Sequence, residues 1–222
     1  MSPRNPLPPP PPPAELQAWP DREARVADRA LALDALGWRL LGAGRMAMFL
    51  VWCALLQLGW AFVGFLLIVI GGPGPDGITL MIGVFSAVLG VGLLVPVVWL
   101  TARSHYRDRV ARGLLAQWAA LDRHGPTDER LRAPVRSACW FVVSFALCGT
   151  GLWLGFAVPA KARWEDGGYG LVAYGMGAAL IFWTTGLTGL AKAFGHYRFA
   201  VRLSAPRPPA GRSASSGHPR PE

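Results

Sequence analysis

A chain of 222 residues that is 52% hydrophobic and only 16% charged is not composed for water, which excludes an ordinary soluble domain. Its net charge of +9 rests almost wholly on arginine, with Lys161 and Lys192 the only lysines, and the charge is segregated so that four long segments carry none. Positive charge flanking such segments is the expected mark of cytoplasmic loops, and this reading displaces a nucleic-acid one.

Residues 1–20 contain Pro3, Pro6 and the run Pro8–Pro13, which cannot donate backbone hydrogen bonds and favours polyproline II. The stretch reads as a disordered, solvated tail; the competing reading is a ligand for a proline-binding partner. At Asp21, a capping residue, the pattern changes. Val26, Ala30, Leu33, Leu36 and Leu40 recur at helical spacing, with Arg22, Arg25, Asp28 and Arg29 mostly off that stripe. Residues 21–44 therefore read as an amphipathic cytoplasmic helix lying on the membrane or on partner protein.

Residues 45–107 read as a transmembrane hairpin. Its apolar runs, 46–70 and 78–101, are 25 and 24 residues long and uncharged, and each can cross a hydrocarbon core of about 30 Å with some tilt. The first run lies behind a mixed-charge segment and is too long for a signal h-region. Residues 108–135 form an Arg-rich helical loop, with Val110, Leu114, Trp118 and Leu121 on one face and His124-Gly125-Pro126 as its stop. A second hairpin occupies 136–198, with spans at 137–160 and 171–191. Residues 199–222, soon rich in Pro, Ser and Gly, read as a disordered tail.

The hairpins resemble each other at an offset of 91. His105-Tyr106-Arg107 returns as His196-Tyr197-Arg198, Arg45 as Arg136, Gly64-Phe65 as Gly155-Phe156 and Leu80 as Leu171. His and Tyr each occur only four times, so the tripeptide is a specific signal. The expected fold is all-α: four transmembrane helices as two tandem parallel-repeat hairpins, plus amphipathic cytoplasmic helices. Units with an even number of spans enter the membrane in one orientation, so a pseudo-twofold axis along the membrane normal is expected.

Eight arginines lie between the hairpins, against none and two basic residues in the hairpin turns, so both termini are expected to be cytoplasmic. Heavy use of Arg, Ala, Gly and Pro points to a high-G+C bacterial genome, and hence to the cytoplasmic (inner) membrane.

The candidate site residues are the repeated ones: Arg45, His105, Tyr106, Arg107, Arg136, His196, Tyr197 and Arg198, all at cytoplasmic span ends. Two arginines or four could contact a phosphate or an anionic lipid headgroup. The plainer alternative is anchoring, with Tyr in the aromatic belt and Arg snorkelling. Two histidines fall short of a metal site, which needs three or four ligands, and no acidic or Cys partner is read beside them. Cys53, Cys139 and Cys148 sit in apolar runs without Cys-x-x-Cys spacing and read as fillers.

No nucleophile motif, phosphate-cradling loop or carboxylate cluster is present in the sequence. The expected protein is non-enzymatic, without cofactor or metal: a scaffold, regulator or accessory subunit of a bacterial membrane complex. Its partners would be the bilayer, anionic lipids at the cytoplasmic face, and a second copy or another membrane protein, with no nucleic acid. The alternative is a small oligomeric channel or transporter; the lack of any charged residue inside the spans weighs against a proton-coupled carrier, though not against a pore made by oligomers.

Overall fold

The computed structural model describes residues 8–16, 19–72, 74–121, 134–162 and 168–204. The expected stop at 124–126, the loop residues 163–167 and the tail 205–222 lie outside them. Past a short 3-10 turn at Ala14–Leu16, the described elements are five α-helices: α1 (Arg22–Leu41), α2 (Ala43–Gly71), α3 (Gly77–Leu121), α4 (Pro134–Lys161) and α5 (Gly168–Ser204). Four helical stretches, one in each of α2 to α5, are long and apolar enough to cross a membrane.

Asp21 starts α1, its carboxylate accepting from the Ala24 N–H at 2.7 Å. The helix ends at Gly42, whose N–H returns to the Trp38 carbonyl at 2.8 Å, and α2 begins at the next residue. A Cβ at Gly42 would overlap that carbonyl, so the tight junction requires glycine. Asp76 opens α3 in the same manner, with Thr79 Oγ1 and N–H both donating to its carboxylate.

At 45 residues α3 runs to about 68 Å at the α-helical rise, twice the hydrocarbon thickness, so its carboxyl half leaves the membrane as one continuous rod. There it packs on α1. Leu33, Leu36, Leu40 and Leu41 of α1, Ala111, Leu115, Trp118 and Ala119 of α3, Trp140 of α4 and Ala193 of α5 form one buried cluster. Arg29, fully buried, crosses this layer and donates from Nε to the Trp118 carbonyl at 3.3 Å.

Within the apolar layer the helices lie in the order α3, α2, α5, α4. The interfaces are close because small residues let backbones approach. Gly90 of α3 stands against Gly59 and Phe62 of α2, while Gly177 of α5 stands against the Trp60 ring; a Cβ at either position would collide. Polar side chains in these interfaces bond to backbone across helices: Ser86 Oγ to the Phe62 carbonyl (2.9 Å), Gln57 Nε2 to Ala178 (2.9 Å) and Trp60 Nε1 to Tyr174 (2.8 Å).

Two boundaries differ from the sequence reading. Helix α5 continues through residues 199–204, where the tail was expected to begin. Residues 8–13, expected to be solvated, meet the layer formed by α1 and α3, where Trp118 Nε1 donates to the Pro9 carbonyl at 3.0 Å. The contacts also depart from the expected twofold relation. Such an axis would match the α2–α5 interface with an α4–α3 interface, and none of that extent exists among the described residues. Instead, α3 and α5 set corresponding positions on the same helix, α2: Gly83 and Ser86 of α3, and Tyr174 and Gly177 of α5, 91 residues on.

Candidate functional site

The first turn of α2, the rod of α3 beyond its apolar half and the last third of α5 meet where the apolar layer joins the α1–α3 layer. Each contributes one ionic side chain. Asp108 of α3 is buried, its side chain 4% exposed, and it is held by two cations from opposite sides. The Arg45 guanidinium donates to Oδ1, and Lys192 Nζ donates to Oδ2 at 2.8 Å. Lys192 also lies over the Trp140 ring, 4.8 Å from its centroid, so α4 closes the cluster. Trp140 is fixed by its indole N–H, which donates to the Leu41 carbonyl at 3.3 Å, and by the Phe49 ring at 5.2 Å. Phe49 and Trp140 are themselves 91 residues apart.

The cluster forms one wall of a cavity of about 210 Å³. Hydroxyls of Thr101 and Ser104 from α3 and of Thr184, Thr185 and Thr188 from α5 line part of the rest, and Met48, Phe49, Trp52, Cys53 and Leu56 of α2 make an apolar wall. Thr101, Thr184 and Thr188 donate to carbonyls of their own helices, which leaves oxygen lone pairs as what they offer the cavity. Arg45, Lys192 and His105 each bring N–H groups to its lining. His105 stands exposed at the rim. Its partial burial holds the imidazole below the ordinary histidine range; Asp108 opposes that shift, while Lys192, Arg112 and Arg109 reinforce it. With His105 neutral, two cations against one carboxylate leave the cavity a net positive charge, a suitable seat for a small anionic group.

A second cavity, about 190 Å³, lies behind Lys192 and is bounded by Leu40, Leu41, Arg112, Leu115 and His196. The repeated residues are thus distributed rather than pooled. Arg45 and His105 face the first cavity and His196 the second. Arg136 stacks on Trp38, its guanidinium carbon 3.7 Å from the ring centroid, and Arg198 lies 5.6 Å over Phe194. Tyr106 and Tyr197 are exposed, as is Arg107.

The reading that no acidic residue accompanies the histidines is corrected here. Asp108 follows His105 by three residues, one helical turn, and is the centre of the cluster. In the sequence Asp108 lies between Arg107 and Arg109, and nothing local distinguishes it from a solvated charge. Lys192 was missed as well. The available signal was departure from the repeat: Lys192 stands where the first hairpin has Thr101, and Asp108 where the second has Phe199. Among the described residues no three or more His, Cys, Asp and Glu side chains gather closely enough to hold a metal ion. Comparison with protein-family models, curated proteins and solved structures finds no match to this chain.

Proposed function

We propose that this chain is a non-enzymatic scaffold or accessory subunit of a membrane complex in a bacterial cytoplasmic membrane. In this reading both termini are cytoplasmic, and two tandem hairpins carry an amphipathic cytoplasmic layer. The observation that carries the proposal is the buried cluster outside the apolar spans, where α1 packs on the rod of α3 around Leu33, Leu36, Leu115 and Trp118. A free amphipathic helix needs no such core, whereas a platform that presents a fixed surface does. Exposed Arg103, Arg107, Arg109 and Arg112 on the same rod suit the anionic headgroups of a cytoplasmic leaflet. Arg45, His105 and Lys192 would receive a small anionic group, from lipid or solute, in the cavity beneath.

The polar groups of the apolar layer favour this reading over a channel or carrier. Gln57, Ser86 and Trp60 spend their donors on backbone carbonyls across helix interfaces, which supports a packing role. Purification from native membranes tests the choice. A stoichiometric partner retained in mild detergent is expected; solute or ion flux in liposomes containing the pure chain would overturn it.

A further inference from the structure

The proline run remains without a role in that reading, and the fold gives it a seat. Trp118 lies on α3 between Leu114 and Leu121, four residues before and three after it, so the three share one apolar face. Trp118 is 6% exposed, and its backbone carbonyl is held by buried Arg29 of α1. The indole N–H, the one polar atom of the ring, points outward and donates to the Pro9 carbonyl at 3.0 Å. Along the arm, Pro8, Pro11 and Pro12 are half-buried while Pro9, Pro10 and Pro13 are exposed. Pro8 and Pro11 stand three residues apart, the period at which polyproline II returns to one face, and Pro12 beside Pro11 widens that inward face. An aromatic side chain giving an N–H to a proline-run carbonyl, with one face of the run turned inward, is the chemistry by which polyproline segments are recognised.

We propose that the Trp118 face of the cytoplasmic layer is a polyproline-binding groove, filled in cis by residues 8–13 and open to a proline-rich segment of a partner protein when that arm leaves. The cis arm defines the ligand: a left-handed proline run of about six residues with carbonyls free to accept. It also sets the competition. A short tether holds the arm at an effective concentration in the millimolar range, so a partner succeeds only when its segment is locally concentrated or binds better.

The test uses the full chain in nanodiscs and a fluorescein-labelled peptide copying residues 5–14, with a Gly/Ser peptide of equal length as control. Substitution of Pro8→Ser, Pro11→Ser and Pro12→Ser together weakens the arm without touching the groove. This variant is expected to bind the proline peptide at least about tenfold more tightly than the unaltered chain. Adding Trp118→Phe, which keeps an aromatic ring and removes the N–H, should weaken peptide binding about fivefold. Binding no better than the Gly/Ser control, equal binding by the intact and arm-weakened chains, or no loss with Trp118→Phe would each overturn the proposal. A second measurement leaves Trp118 in place. A photoreactive benzoylphenylalanine at exposed position 10 should crosslink in cis to the tryptic fragment between Arg112 and Arg123, and absence of that product also overturns it.

Discussion

Asp108→Asn removes the one negative charge between Arg45 and Lys192 while keeping the side chain's size. At 2.8 Å and an effective dielectric constant of about 20, the Lys192–Asp108 attraction is about 6 kcal/mol before desolvation is subtracted. Removing one member of a buried pair costs about 3–5 kcal/mol, because the remaining charge stays buried without compensation. Lys192 carries that penalty, its side chain being 13% exposed; Arg45, at 32%, is better solvated and adds less. A loss near the lower end, about 3 kcal/mol, corresponds to a fall in Tm of about 6–12 °C for a chain of this size. Thermal unfolding of the purified chain in detergent, followed by helical circular dichroism, measures it. Asp108→Asn combined with Lys192→Met removes both charges of the Lys192–Asp108 pair, leaves only the better-solvated Arg45, and should recover most of the loss, since a neutral buried pair is close to an ionic one in stability. An unchanged Tm for Asp108→Asn, or a double variant less stable than the single one, would refute the reasoning.

Three further outcomes are expected. Gly177→Ala puts a methyl into the Trp60 ring and should destabilise the α2–α5 interface by about 1–3 kcal/mol in the same unfolding assay, whereas Gly149→Ala, with open space around it, should not. His105 has its folded pKa below its unfolded one, so the unfolded chain binds more protons. Stability should therefore decline as pH falls through about 6.5 toward the lowered folded value, and His105→Asn should flatten that slope, as read from Tm against pH. Reporter fusions after Asp76 and Gly167 should read as external and fusions after Arg123 and Ser213 as cytoplasmic; a cytoplasmic reading at Asp76 contradicts the orientation.

What the sequence conveyed and what it hid divide along a physical line. The four apolar runs were legible because a hydrocarbon slab imposes length and composition locally, without reference to neighbours. The start of α1 was legible for a similar reason, as Asp21 and the leucines after it act within a few residues. The order α3, α2, α5, α4 was not, because Gly and Ala faces occur on several spans and any could have paired. Gly177 became an interface residue only because Trp60 came to rest on it. The site was the least legible part. Whether Asp108 is solvated or buried depends on two turns of α3 beyond Thr101, which bring it over the first turn of α2, and nothing within the run Arg107–Arg109 records that. The repeated His-Tyr-Arg segments drew notice by their rarity, yet the ionic centre formed at Asp108 and Lys192, where the two copies differ.

The proposed role is tested most directly on the outer side of α1. Leu31 is 71% exposed there, opposite the buried Leu33 and Leu36, and a scaffold would present such a residue to its partner. A photocrosslinking amino acid at position 31, activated in intact source cells, should give one discrete adduct to another membrane-complex subunit, lost when the probe is moved to buried position 33. Adducts only to lipid, or only to further copies of this chain in a closed ring, would contradict the accessory-subunit account.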